Sequence, residues 1–342
     1  MNLARLRPPV LAAAMAALLA VVALSGCAAS STSGTGTAST GATTAPLPAS
    51  VSVIRIGALP NEDSLSLWAA AQDGLFKKAG LDVQITTFPS AAERDAALQA
   101  GSVDAVSGDI IAAGLLAGHG FPVKIATLQL GAIPAEGRFG ILANPKSGVK
   151  TLADLKTKGP LAQSSGTLAA YSADQMLAQA GIAPDSVKRS EVKKLPVRFE
   201  LLQSNQVPAA VLPEPLLSLG QKQGLTLLAD DTKGPQNISQ TVLIFSDKYL
   251  KQAGARQAIQ ALLCTTDVDA AAINANPDAY RALLVDKARL PKPIANTYKI
   301  SHYPAAALPT AEQVNAVLKW MQAKKLIGAG VTYESLVGET TK

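Results

Sequence analysis

Two stretches of the chain, roughly 100 residues apart, follow the same plan, and this repeat constrains the fold more than any other feature. Residues 79–81 (Ala-Gly-Leu) match residues 180–182 (Ala-Gly-Ile), and residues 97–106 match residues 201–211 with one residue of slack. Each match joins the end of a helix to a short apolar strand. Strands that alternate with helices of this length are typical of βαβ units. The repeat therefore predicts two similar α/β lobes, each with a mainly parallel sheet.

The length of 342 residues is enough for two lobes that each have a hydrophobic core. We expect the first lobe to contain residues 51–130 and 241–342, and the second lobe residues 131–240. The chain would then cross between the lobes twice, at a hinge. Residues 242–342 are mostly helical in pattern, and we expect these helices to pack mainly on the first lobe.

The N-terminus has the pattern of an export signal. Arg5 and Arg7 precede an apolar run over residues 10–24, which ends in Leu-Ser-Gly before Cys27. A basic start, an apolar core and small residues before a cleavage point are typical of a secretory signal peptide. The run is short for a membrane span, which needs about 20 residues. We expect residues 1–26 to be a signal peptide, and the alternative is a membrane span with a chance cysteine.

The ending Leu-Ser-Gly-Cys resembles the bacterial lipobox, in which the cysteine becomes the lipidated N-terminus. Cys27 would then hold the protein to a membrane by its acyl chains. Residues 27–50 are rich in Ser, Thr, Gly and Ala and predict a flexible tether. The signal segment contributes two arginines and no acids, so the net charge of +6 becomes +4 after its removal. That small excess is spread along the chain and does not predict binding to nucleic acid.

Four polar turns are predicted where strands end, two in each lobe. Ligands of open α/β sheets bind beyond the carboxyl ends of the strands, so the four turns would line one cleft. The candidate ligand-binding residues in these turns are Pro60, Asn61, Ser64, Ser107, Gly108, Asp109, Ser164, Ser165, Gly166, Thr167 and Glu214.

The turns differ in the ligand chemistry that they favour. The turn over residues 164–167 opens a helix without an acid in its first turn, so its amides and hydroxyls favour an anion or an acceptor-rich ring. Helix capping alone would explain the same residues. In the first turn, Glu62 and Asp63 already complement the helix dipole and would repel an anion. Contacts by Asn61 or Ser64 are therefore expected there rather than contacts by the acids.

Asp109 and Glu214 fall in turns that the repeat makes equivalent. Two facing carboxylates would suit a ligand with amino or ring N–H donors, such as an aminopyrimidine. The alternatives are that Asp109 caps its helix and that Glu214 lies at a rim set by two prolines. None of the four turns contains an arginine, and Arg138 in the crossover is expected to be a surface residue.

Motifs for catalysis or metal binding are not found in the sequence. The two histidines, His119 and His302, do not have metal-ligand spacing, and no nucleophile elbow, phosphate loop or dinucleotide fingerprint occurs. We therefore expect no cofactor, no metal and no enzymatic activity.

Several short motifs carry a family resemblance that spans roughly residues 52–340. They are Gly-Leu-Phe at residues 74–76, Gly-Ser-Val-Asp-Ala at 101–105, and Ala-Val-Leu-Pro-Glu-Pro at 210–215, after the lipobox. With these motifs the chain resembles the solute-binding subunits of ABC importers, in the family that binds aliphatic sulfonates, taurine, nitrate and thiamine-type pyrimidines.

The resemblance implies a type II periplasmic binding protein fold whose two lobes close on a ligand. It also implies delivery of a small molecule to a membrane permease and its ATPase, by a monomer anchored on the extracytoplasmic face. The alternative is an exported enzyme, or a sensor or adhesion lipoprotein, on the same fold. The motifs do not choose between a pyrimidine-like ligand and a sulfonate-, taurine- or nitrate-like one.

Overall fold

The computed structural model describes residue 48, residue 51 and residues 53–337. The predicted signal peptide, Cys27 and almost all of the predicted tether lie outside these residues. Within the described part, no helix combines the length and the apolar character needed to cross a membrane.

The first sheet has five strands in the order β2–β1–β3–β10–β4. Strand β1 pairs in parallel with both β2 and β3, whereas β10 runs antiparallel between β3 and β4. The inner strand β10 is buried along its whole length, as its apolar sequence requires. The strands of this sheet are β1 (Val53–Ala58), β2 (Asp82–Thr87), β3 (Ala105–Asp109), β4 (Val123–Leu130) and β10 (Thr241–Ser246).

The second sheet repeats this arrangement with the order β7–β6–β8–β5–β9. Strand β6 is parallel to β7 and β8, and β5 is antiparallel to both β8 and β9. Each sheet is thus mainly parallel, as the sequence predicted, and is made mixed by one antiparallel strand. The strands are β5 (Phe139–Ala143), β6 (Leu161–Gln163), β7 (Arg189–Glu191), β8 (Ala209–Pro213) and β9 (Thr226–Asp230).

Helices flank both sheets, and most follow a strand as the βα pattern predicted. Polar side chains cap the N-termini of several helices. The Ser90 hydroxyl accepts a hydrogen bond from the Glu93 amide, and Thr310 forms a capping box with Gln313. The helices are α1 (Leu65–Gln72), α2 (Leu75–Lys78), α3 (Ala91–Gln99), α4 (Ile110–Gly118), α5 (Leu155–Lys158), α6 (Leu168–Gln179), α7 (Leu195–Gln203), α8 (Leu216–Lys222), α9 (Asp247–Leu250), α10 (Ala255–Ala275), α11 (Arg281–Lys287), α12 (Ala311–Ala323) and α13 (Tyr333–Leu336).

The structure confirms the repeat. The helix and strand of one copy match those of the other at a constant distance in sequence, so the one-residue gap in the predicted alignment is not needed. Helix α3 and strand β3 occupy positions 104 residues before α7 and β8. Gly101 and Asn205, which match by that offset, both follow their helix in a left-handed conformation, with φ of +73° and +57°. The left-handed residue ends each helix and turns the chain into the next strand.

A buried arginine holds each helix of the repeat to its strand. Arg94 donates from Nη1 to the Ser107 carbonyl at 2.8 Å, and Arg198 donates from Nη1 to the Val211 carbonyl at 3.0 Å. Both arginines are at most 2% exposed. Gly108 makes room for the first of them, because a Cβ there would lie 3.3 Å from Arg94 Nη2.

Some element boundaries differ from the prediction. Ser107, Gly108 and Asp109 were expected in a turn, but they form the end of β3 and pair with β10. The constant offset makes Asp109 equivalent to Pro213, so Glu214 lies one residue beyond the position equivalent to Asp109. Strands β5 and β9 were not predicted, because each carries little alternation between apolar and polar residues.

The last long helix packs beside the first sheet, where it was expected, and also contacts structure around the second. Leu318 and Met321 lie against Gly114 of α4, beside the first sheet. On another side, Trp320 Nε1 donates to Asp174 Oδ2 at 3.0 Å, and Lys324 pairs with Asp174 at 3.3 Å. Since Asp174 belongs to α6 of the second sheet, α12 connects the two halves. The largest buried cluster also draws residues from both sheets.

Candidate functional site

The first turn follows β1 and forms a short 3₁₀ helix, Glu62–Ser64, before α1. Asn61 uses its side chain within the turn and donates to Asp63 Oδ2 at 2.6 Å. Asn61 Oδ1 and the Ser64 hydroxyl are buried and have no hydrogen-bond partner among the described residues. Buried polar atoms are nearly always paired in native structures, so unpaired ones at a strand end indicate a site for a ligand or water.

Glu62 is the most unusual residue of this turn, because it is a carboxylate with only 3% of its surface exposed. The Ser301 hydroxyl donates to its Oε1 at 3.0 Å. Its Oε2 has no partner within the described part of the chain. The Tyr303 hydroxyl donates to the Glu62 carbonyl at 2.7 Å and fixes the backbone of the turn.

Burial raises the pKa of Glu62 to about 8, and the negative charge of Glu214 raises it further. The hydroxyls of Tyr298 and Ser301 oppose this rise in pKa. Tyr298 is itself only 4% exposed, and its hydroxyl faces Glu62 without reaching a partner in full hydrogen-bond geometry in the described structure. A carboxyl group with such a pKa is largely protonated at neutral pH while no cation lies beside it.

Asp63 and Asp109 form the part of the site that lies over the first sheet. Burial raises the pKa of Asp63 to about 6, the Asn61 amide opposes the rise, and the Asp109 charge adds to it. Asp109 caps α4, since its Oδ1 accepts the Ala112 amide at 2.8 Å. Burial raises the pKa of Asp109, and the guanidinium of Arg94 opposes that rise. The capping alternative for Asp109 is thus observed, beside a second carboxylate.

Glu214 follows β8 of the second sheet and is 6% exposed. Its Oε1 pairs with Arg138 Nη1 at 2.8 Å, and both of its oxygens accept hydrogen bonds from Ser218. Burial raises the pKa of Glu214, whereas the charge of Arg138 lowers it. Arg138 was expected on the surface, but it is three-quarters buried and also donates to Gln221 at 2.8 Å.

The turn after β6 has a different environment from the one predicted. The Ser165 amide donates to Glu191 Oε2 at 2.8 Å, and the Ser164 hydroxyl approaches Glu191 Oε1 at 3.4 Å. Thr167 donates to the Ser164 carbonyl, and Gly166 takes a left-handed φ of +66°. The amide that was expected to attract an anionic ligand therefore already binds a carboxylate of the protein.

Two crossover segments join the sheets, residues 131–138 and residues 231–240. Glu136 Oε2 accepts the amides of Gly131 and Ala132 at 3.2 and 2.7 Å, and its Oε1 lies 2.8 Å from His302 Nδ1. Asn237, in the other crossover, donates to the carbonyls of Ile133 and Glu136. Side-chain bonds thus fasten the two crossovers to each other.

The structure brings three of the four predicted turns together through the interacting acids Glu62, Glu214, Asp63 and Asp109. Ser107 is engaged within the first sheet, because its hydroxyl donates to Gln129 Oε1 at 2.8 Å. Sequence reasoning missed Glu62 and Tyr298. An acid in a helix's first turn is ordinarily a solvated dipole partner, and Tyr298 stands in a segment without periodicity. The adjacent Asn-Glu-Asp after a buried strand was the only available signal.

The site can provide carboxylate acceptors and tyrosine and amide groups. Among the described residues, no three His, Cys, Asp or Glu side chains gather closely enough to hold a metal ion. The smaller of two described cavities, about 20 Å³, is lined in part by Tyr303, and the other, about 80 Å³, lies beside Arg55 and Asp104. Neither of these two cavities is lined by Glu62 or Glu214.

Solved structures with similar folds are periplasmic binding proteins. The aliphatic sulphonate binding protein SsuA from Escherichia coli matches with a TM-score of 0.69 and 22% identity, over 83% of this chain and 97% of that chain. The nitrate-binding protein NrtA from Synechocystis PCC 6803 matches with a TM-score of 0.65 and 14% identity, over 82% and 83%.

The CA3427 product of Candida albicans, described as having the generic periplasmic binding protein fold, matches with a TM-score of 0.63 and 13% identity, over 84% of this chain and 97% of that chain. These likenesses confirm the predicted fold. A search of curated protein sequences finds no significant match.

The sequence also matches a family model, which is described as NMT1/THI5 like. The match covers residues 61–280, which is more than half of the chain and includes the first turn, Asp109 and Glu214. The chain therefore belongs to the NMT1/THI5-like family.

Proposed function

We propose that this protein is an extracytoplasmic solute-binding lipoprotein of an ABC importer. It captures one small organic solute between its two lobes and delivers the solute to a membrane permease. The observation that carries this proposal is that Glu62, after β1 of the first sheet, and Glu214, after β8 of the second, lie close enough for the charge of one to shift the pKa of the other. Strand ends of both sheets thus supply buried polar groups to one place.

In this proposal the first lobe consists of residues 51–130 and 241–342, and the second of residues 131–240. The crossovers at residues 131–138 and 231–240 act as the hinge. Closure on a solute buries the polar groups that the turns present, and opening exposes them to solvent. The structure fits the closed arrangement, because buried clusters contain residues of both sheets.

Contacts to the solute are proposed for the strand-end residues predicted from the sequence. Asn61 and Ser64 support this assignment best, because each has a buried oxygen without a partner among the described residues. Glu214 supports it by its position opposite Glu62. Glu62 and Tyr298 join the proposed set, since both are buried with an unpartnered oxygen in the described structure.

We propose that the protein binds its solute and does not alter it chemically. The structural neighbours named above are described as binding proteins, and the buried carboxylates here lie in a turn, a strand end and a cap. The lipid anchor is proposed at Cys27 on the basis of the Leu-Ser-Gly-Cys ending. This anchor would hold the protein at the outer face of a membrane, beside the permease.

Calorimetry of the purified soluble part tests solute capture. Aminopyrimidines, aliphatic sulfonates, taurine and nitrate are titrated into the wild type and into Glu214→Gln, with Glu200→Gln as a control at an exposed position of α7. We expect one-to-one binding of one class and unaltered solute after the titration. Binding that is unchanged in Glu214→Gln would refute the assignment of Glu214, and turnover of the solute would refute the binding function.

Fractionation of cells that make the full chain tests the anchor. The wild type is expected in the membrane fraction and Cys27→Ala in the soluble extracytoplasmic fraction. A Cys27→Ala protein that stays in the membrane fraction would contradict lipid anchoring at this residue.

A further inference from the structure

We infer that the solute held at this site carries an organic cation, such as a protonated amine or an amidinium, which Glu62 and Glu214 bind from the two lobes. The inference rests on the proposed function and specifies the chemical class of the solute. It is drawn from the charges, the burial and the unpaired atoms around the first turn.

The ionisable groups around the first turn include more acids than bases. Glu62 interacts with Glu214 and Asp63, and Asp63 with Asp109, while Arg94 and Arg138 are the cations that oppose them. Glu62 and Glu214 are buried, and Asp63 and Asp109 are half-buried. Without a cation Glu62 stays largely protonated, which limits the excess of negative charge. A cationic solute would balance the ionised form of Glu62, so this set of acids favours a positively charged partner.

The two arginines are already engaged by the protein. Arg94 pairs with Asp95 at 2.8 Å and donates to the Ser107 carbonyl. Arg138 pairs with Glu214 and donates to Gln221, and only its Nε lacks a partner among the described residues. An anionic solute would have to compete with these carboxylates for the guanidinium groups.

The unpaired atoms at the site define where the cation would be held. Glu62 Oε2 is an acceptor without a partner in the described structure, in a side chain that is 97% buried. The Tyr298 hydroxyl faces Glu62 and acts on it as a donor, although it reaches no partner in full hydrogen-bond geometry among those residues. An N–H group that donates to Glu62 Oε2 would satisfy the acceptor by a charge-assisted hydrogen bond.

A metal ion is a poor candidate for the cation. The acids are distributed over the ends of both sheets, and no group of three or more potential metal ligands forms among the described residues. An organic cation with separated N–H donors fits two carboxylates on opposite lobes better than a compact ion.

Calorimetry with charge-matched probes tests the inference. Benzamidine and putrescine are the cations, benzamide and butane-1,4-diol their neutral counterparts, and ethanesulfonate, sulfate and nitrate the anionic probes. We expect a cationic probe to bind at least tenfold more tightly than its neutral counterpart. Glu62→Gln should weaken that binding at least tenfold, and Glu200→Gln should change it less than twofold.

A second measurement keeps the test independent of how well the variant folds. Binding of a cation ionises Glu62, so the wild type at pH 7 should release a proton. The release is measured as a difference in binding enthalpy between phosphate and Tris buffers. Glu214→Gln removes a charge that raises the pKa of Glu62 and should reduce the release without abolishing it, whereas Glu62→Gln should lose it.

The outcomes separate this inference from the proposed function. Tight binding of ethanesulfonate, sulfate or nitrate, or equal binding of benzamidine and benzamide, would overturn the cationic assignment and leave solute capture intact. Binding of no probe from any class would overturn the cationic assignment and also remove the support for solute capture.

Discussion

Glu62→Gln is the substitution whose effect follows most directly from the structure. The change keeps the size of the side chain and removes its ability to ionise. Ser301 can still donate to the remaining side-chain oxygen, as it does to Oε1 at 3.0 Å in the wild type. The variant therefore isolates the free energy of placing a negative charge at this buried position.

The magnitude follows from the pKa of the carboxyl group. The ordinary value of 4.5 rises to about 8 in the folded protein, chiefly because of burial and of the Glu214 charge. The folded state thus holds the proton more tightly than the unfolded state does. The contribution of Glu62 to stability is therefore largest below pH 4.5 and is lost as the pH rises through about 8. The loss is about 1.4 kcal/mol for each pH unit, and about 5 kcal/mol in total at most.

Urea denaturation at several pH values measures the effect as a difference between proteins. The free energy of unfolding is determined for the wild type and for Glu62→Gln at pH 5, 6, 7, 8 and 9, without solute. We expect the difference in favour of the variant to grow steadily up to about pH 8 and then to level off. Glu200→Gln removes a charge at an exposed position and should give a difference that barely changes with pH.

A difference between Glu62→Gln and the wild type that stays constant from pH 5 to pH 9 would refute this reasoning. It would mean that Glu62 ionises in the folded protein as it does in water. The buried acidic site, and the proton release expected on binding of a cation, would then lose their physical basis.

Three further substitutions test other parts of the structure by urea or thermal denaturation. Arg198→Met removes the donor to the buried carbonyl of Val211 in β8, a hydrogen bond of 3.0 Å, so it should lower the free energy of unfolding by about 3 kcal/mol. A loss below about 1 kcal/mol would contradict a structural role for Arg198. Gly131→Ala places a Cβ 2.8 Å from Gln240 Cα at a φ of +102° and should lower the free energy of unfolding by about 3 kcal/mol. Gly181→Ala, whose Cβ meets no atom within 4 Å, should lower it by about 1 kcal/mol. Equal losses for the two variants would contradict the clash at residue 131. Asp269→Asn should lose less stability than the wild type as the pH rises from about 4 to about 7, because burial raises the pKa of Asp269 to about 7. Parallel profiles of the free energy of unfolding against pH for the two proteins would contradict this.

Local sequence patterns determined much of the secondary structure. The turn over residues 164–167 was expected to open a helix, and α6 begins directly after it and spans Leu168–Gln179. Its end is marked by Gly181, which takes a left-handed φ of +72°. Caps, glycines and β-branched runs act within a few residues, so their effect can be read without knowing the rest of the fold. The same locality explains why the two matched segments could be recognised as copies of one unit.

The positions of β5 and β10 could not be obtained in this way. Each is antiparallel within a sheet whose other strands run the opposite way, and each lies far in sequence from a neighbour. Thr241 pairs with Asp109, and Phe139 pairs with Pro213. Such pairings depend on how the whole sheet is assembled, which no window of the sequence contains.

The candidate site shows the same division more sharply. The sequence by itself determined that polar residues follow the strands, that Asp109 could cap a helix and that Glu214 follows a strand. It could not determine that Glu62 is buried, because Ser301 and Tyr303, which bond to it, lie 239 and 241 residues away. Only the tertiary structure places these groups together and excludes water from them. The physical reason is that a carboxyl group's charge state depends on its surroundings, and those surroundings come from distant parts of the chain.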